Sequence, residues 1–236
     1  VYIRVVWDEV SEEDDVLFGR AWETFGGLSH PAQHRADWGA WAANHDFHLL
    51  VLVPIESAET RACARQVQDS LGHLPGVELH PAEFLHITIQ SLGFLDRGDP
   101  IASLVAALEK QIARVNAFDM RLGGLNALHS CAFLEVRPST GLSALRSAVR
   151  RAVGDAIHEI DPYPDYLFHL TVGYFGAGAS IDSLVAAIEP LRDHSAGTLH
   201  VNAVDLVALP TDQLQPFPPL EPLARFTLAS NRRTRI

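Results

Sequence analysis

The sequence predicts an α+β fold built from two halves that echo each other. Two short runs alternate apolar and polar residues in the manner of half-buried strands: Phe84-Leu85-His86-Ile87-Thr88-Ile89-Gln90 and Phe168-His169-Leu170-Thr171-Val172-Gly173-Tyr174. Amphipathic helical stretches surround them, the strongest running from Leu142 to Ile160. The order helix, His-x-Thr strand, helix occurs twice. With 236 residues and 47% hydrophobic content, the chain can bury a proper core.

Residues 1–44 read as a separate acidic, aromatic extension, with eight acidic residues against three arginines and all four tryptophans, Trp7, Trp22, Trp38 and Trp41. One or two helices packing on the main domain are expected there, with a turn at Gly26-Gly27. Residues 45–236 form the main domain. Phe47 to Ile55 reads as a strand, and Ser57 caps a helix through Ser70 that Gly72 and Pro75-Gly76 terminate. The first motif strand runs from Phe84 to Leu95. Asp99-Pro100 opens a helix to about Val115, with proline at its first position. Phe118 to Leu125 and Ala132 to Val136 are strands, followed by the Leu142–Ile160 helix and the second motif strand, Phe168 to Phe175. Ile181 to Leu191 is a helix, Thr198 to Leu209 one long strand, and Leu223 to Ala229 the last strand. The loop between those two holds Pro210, Pro216, Pro218, Pro219 and Pro222, which excludes a central strand.

Side chains two apart on a strand share a face. Leu85, Ile87 and Ile89 therefore face a core, and His86, Thr88 and Gln90 face the other way. In the second run Phe168, Leu170, Val172 and Tyr174 go to the core and His169, Thr171 and Gly173 oppose them. Placed side by side, the two strands surround one small cavity with two imidazoles and two hydroxyls. Histidine suits both proton transfers of phosphodiester cleavage, since its ordinary pKa is about 6.5. Threonine hydroxyls can donate to the non-bridging oxygens. Gln90 is a candidate to orient a ribose or base, Phe84 and Tyr166 to stack on a base, and Gly173 to let a ligand approach the backbone.

The run from Pro81 to Leu95 resembles the first motif of the 2H phosphoesterases, the superfamily of the bacterial 2'-5' RNA ligase-like proteins and the 2',3'-cyclic phosphodiesterases. Pro162-Tyr163-Pro164 leading into His169-Leu170-Thr171 resembles the second motif. The resemblance covers Asp46 to about Ala229. It implies a bilobal α+β fold, two pseudo-symmetric lobes of antiparallel sheet plus helices, with the motif strands lining a central cleft. It also implies that one histidine activates water or a ribose hydroxyl while the other protonates the leaving oxygen. The substrates it implies are 2',3'-cyclic phosphates, 2'-5' linkages and related RNA ends, cleaved without a metal or other cofactor.

Composition narrows the partner. A net charge of −11 argues against long duplex nucleic acid, which is bound through a basic surface. A nucleotide or short RNA end fits better, and all but one of the 18 basic residues are arginine, suited to point recognition of a phosphate. Neither motif carries a basic cluster of its own; Arg97 and Arg137 are the nearest candidates. No apolar run reaches the length of a membrane span, and no secretory signal opens the chain. Cys63 and Cys131 are too few for a disulfide framework or a cysteine zinc site, so inert buried thiols in the reducing cytoplasm are expected, and separately a monomer. His30-x-x-x-His34 and His45-x-x-His48 have helix-like ligand spacings, and His73, His80 and His129 add donors, but no HExxH motif occurs. Nucleophile-elbow and phosphate-loop motifs are absent from the sequence too. The rival reading is a nucleotide- or RNA-end-binding module that senses its ligand without turning it over.

Overall fold

A computed structural model of the chain describes residues 13–34, 45–98, 100–154, 166–211 and 217–230. Trp7, Trp38, Trp41, the Pro162-Tyr163-Pro164 run and the expected last turn of the Leu142–Ile160 helix lie outside the described residues. Among the described residues nine strands form one sheet: β1 (Phe47–Pro54), β2 (Val77–Leu79), β3 (His86–Leu95), β4 (Phe118–Leu128), β5 (Cys131–Val136), β6 (His169–Phe175), β7 (Gly197–Val201), β8 (Ala203–Pro210) and β9 (Pro222–Thr227). Their order is β7-β4-β5-β6-β3-β1-β8-β9, with β2 also paired to β6, and every pairing is antiparallel. Five helices accompany the sheet among the described residues: α1 (Glu13–Gly26), α2 (Ala58–Asp69), α3 (Ala102–Ile112), α4 (Thr140–Val153) and α5 (Ile181–Ile188). None of them is long and apolar enough to cross a membrane.

The sheet consists of two halves. β3-β1-β8-β9 and β7-β4-β5-β6 are each joined by extended ladders, yet β3 meets β6 through a single pair, Ile87 opposite Leu170. The expected long strand from Thr198 to Leu209 is two strands parted by Asn202. β7 pairs with β4 in one half and β8 with β1 in the other. One residue can join strands at such distant places in the order only if the sheet is strongly curled.

Local chemistry sets most element ends. Ser57 caps α2, its hydroxyl accepting from the Thr60 amide at 3.2 Å. Ser139 does the same for α4 through Leu142. α4 is capped by Gly154, whose φ of +66° suits glycine. α3 starts at Ala102, not at Pro100, and the Glu189-Pro190-Leu191 end of the α5 region tightens into a 3-10 turn. Leu17, Phe18, Ala21 and Phe25 make a buried stripe along α1, which packs on the second half-sheet.

The main core fills one face of the sheet under α2 to α5 and includes Val51, Ile87, Ile89, Leu170 and Val172. Two smaller apolar clusters occupy the opposite face. Leu50, Leu52, Phe84, Val207 and Leu209 belong to the first half, and Phe18, Cys131 and Phe133 to the second. The His-x-Thr strands meet between them.

Candidate active site

Ile87 and Leu170 pair with both side chains in the main core, so the residues flanking them point to the other face. Extending that register sets His86 across from Thr171 and Thr88 across from His169. In that register the four side chains would make a square with the histidines on one diagonal, a spacing of about 7–8 Å in a regular antiparallel pair, and His169 lies near enough to His86 to act on its charge. All four are half-buried.

The two histidines are held by the same local device. His86 Nδ1–H donates to the Phe84 carbonyl at 2.7 Å, and His169 Nδ1–H donates to the Leu167 carbonyl at 2.6 Å. A carbonyl only accepts, so each Nδ1 carries the proton and each Nε2 keeps its lone pair. Each ring also meets a phenyl group edge-on, His86 against Phe84 at 5.2 Å and His169 against Phe133 at 5.4 Å. Dense packing around these rings disfavours the imidazolium. Burial pushes His86 down to about 4, opposed by its bond to Phe84 and assisted by the nearby His169. His169 is also lowered by burial, against the bond to Leu167. Burial thus favours the neutral form of both rings.

Thr171 hydrogen-bonds to the Cys131 thiol, and burial pushes that thiol up to about 12. Cys63 is half-buried, not buried, and its thiol is likewise raised by burial. Tyr166 stands beside the square, its ring 5.8 Å from His169, with the Arg146 guanidinium 5.3 Å from its centre.

Three expected binding residues sit elsewhere. Gln90 does not flank Thr88 on the cleft face. Thr88 pairs with Leu52 and Gln90 with Val51, so Ile89 is an extra residue that turns Gln90 to the core side. There Gln90 is 1% exposed and its Oε1 accepts from Arg146 Nε at 3.1 Å and Arg150 Nη1 at 3.4 Å. A second irregularity makes Val172 the extra residue of β6, since Phe133 pairs with Thr171 and Ala132 with Gly173. Gly173 therefore lies under β2, where a Cβ would come 3.1 Å from the Glu78 carbonyl. Tyr174, expected in the core, takes the cleft face and stacks on His34 at 3.6 Å. Phe84 is 3% exposed, enclosed by its own cluster with Phe217 at 4.7 Å, and has no open face for a base. Its contribution to the site is its carbonyl.

The expected basic candidates are also displaced. Arg137 pairs with Glu135 at 2.9 Å over the Phe18 ring, and Arg97 follows β3 at an exposed turn. The arginines brought to the seam are Arg146 and Arg150 of α4, which sequence reasoning missed. Their i, i+4 spacing on one face of an amphipathic helix was the available signal. His48 lies on strand β1, not a helix, and its Nε2 is 2.7 Å from Ser91 Oγ, whereas His45 bonds to Asp96. Among the described residues no three histidine, cysteine or acidic side chains converge as metal ligands.

A profile of the 2'-5' RNA ligase superfamily matches residues 53–213, more than half of the chain. Among solved structures, TT0787 of Thermus thermophilus superposes with a TM-score of 0.60 at 21% identity, covering 78% of this chain and 99% of that one. Escherichia coli LigT complexed with NADP+ gives 0.55 at 19% identity, covering 78% and 98%. A protein described as a phosphoesterase gives 0.52 at 20% identity, covering 78% and 99%. No curated protein sequence matches significantly. The structural likenesses establish the fold and the profile establishes descent: the protein belongs to the 2'-5' RNA ligase superfamily of 2H phosphoesterases.

Proposed function

We propose that this protein is a phosphodiesterase that opens 2',3'-cyclic phosphates or cleaves 2'-5' bonds of nucleotides and short RNA ends without a metal. The observation that carries this reading is that His86 and His169 flank the paired Ile87 and Leu170, each with its Nδ1 committed to a carbonyl. Superfamily membership supports phosphodiesterase-type chemistry in general. E. coli LigT has been captured with 3'-AMP and with ATP, which supports a nucleotide-sized ligand.

In the proposed reaction one Nε2 takes a proton from water as its oxygen attacks phosphorus. The bond from phosphorus to one ribose oxygen breaks, and the second histidine, entering as imidazolium, gives that oxygen its proton. The hydroxyls of Thr88 and Thr171 donate to the non-bridging oxygens as charge builds on them. A bound phosphodiester anion favours the imidazolium that burial disfavours. Tyr166 is the remaining candidate for stacking on a base.

The test is product analysis in excess EDTA with 2',3'-cyclic nucleotides and a 2'-5'-linked dinucleotide, beside a His86→Ala, His169→Ala variant. Turnover that survives EDTA and is lost in the variant is expected. Activity abolished by EDTA would show that these histidines are the wrong ones. Burial that disfavours the imidazolium of both rings favours one second reading, a module that binds nucleotides without turning them over. Binding without product would establish it.

A further inference from the structure

We propose that a groove on the far side of α4 is a second binding site, for a phosphate-bearing small molecule of nucleotide size. It runs along α4 from Thr140 to Arg151 beside the segment that joins α3 to β4, holds about 470 Å³ of open space, and shares no residue with the histidine square. That volume is in the usual range for small-molecule sites. Arg114 and Arg151 line it together with Asn116, Phe118, Thr140 and Ala144.

Neither arginine side chain has a hydrogen-bonding or ionic partner among the described residues. A single solvated arginine is ordinary. Two that line one concavity, in a chain of net charge −11 with 29 acidic residues, leave a local positive site that no carboxylate neutralises among the described residues. The guanidinium fork matches phosphate oxygens, and the Thr140 hydroxyl and Asn116 amide add neutral donors. Phe118 and Ala144 provide an apolar wall for the body of the ligand. Gly141 preserves that wall, because a Cβ there would fall 2.3 Å from the Phe118 ring. α4 thus presents Arg146 and Arg150 to Gln90 on one side and Arg151 to the groove on another.

An amide NMR titration with AMP, inorganic phosphate and adenosine tests this. Shifts at Val115–Phe118 and Thr140–Ala144 report the groove, and shifts at His86–Thr88 and His169–Thr171 report the cleft. AMP is expected to move the groove signals, adenosine is not, and Arg114→Ala with Arg151→Ala should weaken the groove response at least tenfold. The double variant should keep its thermal midpoint and its phosphodiesterase rate, since both arginines are exposed and remote from the square. Groove signals that stay still with AMP, or that respond equally in the double variant, would overturn the site. Inorganic phosphate matching AMP would overturn the nucleotide-sized ligand. Loss of the cleft response alone would count against the phosphodiesterase reading and not against the groove.

Discussion

His86 and His169 are each asked to carry a proton in a place that resists charge. Burial lowers both from the ordinary 6.5, His86 to about 4. The Nδ1 bonds to carbonyls act the other way and fix the tautomer, so either ring presents Nε2 as a base. The acid is the scarce form. Above its lowered pKa, each further pH unit leaves about one tenth as much imidazolium. For 2',3'-cyclic nucleotide hydrolysis, kcat/KM should therefore fall with rising pH through pH 8, approaching about tenfold per unit, with an optimum below the ordinary histidine pKa of about 6.5. A pH profile under kcat/KM conditions checks this. A plateau through pH 8 would mean that the acid is another group. Thr171 adds a test of the hydroxyl pair: Thr171→Val removes one donor to the developing charge and should lower kcat by about 10²-fold. An undiminished kcat in that variant would place the hydroxyl outside the reaction.

The two strands were legible in the sequence as far as their period held. Leu85, Ile87 and Leu170 reached the core and both His-x-Thr pairs the opposite face, because period 2 is undisturbed there. Downstream in each strand one extra residue, Ile89 or Val172, shifts the alternation, and the expected faces of Gln90, Gly173 and Tyr174 fail with it. A bulge has no residue signature that alternation can reveal. Phe84 was ambiguous because the sheet buries apolar groups on both faces. Arg146 belongs to a distant helix and only packing brings it to the seam. The β6 bulge is pinned by α2: Gln68 Nε2 donates to the Val172 carbonyl at 2.8 Å and the His80 carbonyl at 2.7 Å. Gln68 is 7% exposed, so Gln68→Leu leaves buried acceptors without that donor. The expected cost is roughly 1–3 kcal/mol in urea unfolding. A change under about 0.5 kcal/mol, the low end for a single hydrogen bond, would show that the bulge holds without the amide.

At the scale of the molecule, the site exists because two half-sheets touch at one pair. Each half supplies a motif strand, an apolar cluster under its histidine and a carbonyl that orients it, and Ile87 and Leu170 are the pair that registers β3 against β6. The distance between two proton-transfer groups is thus set by side chains that never meet substrate. Leu170 is fully buried in the main core. Leu170→Ala should cost about 2–5 kcal/mol as the cavity forms. If the seam also sets the site, the halves settle differently and the histidines lose their common register. A misplacement of about 1 Å can cost 10²-fold in rate, so kcat should fall about that far while KM changes little. The control is Val149→Ala, an equally buried truncation on α4 away from the pair. Equal loss of stability in both variants with kcat reduced only in Leu170→Ala would assign the seam a positioning role. Equal kcat in both would confine Leu170 to holding the core together.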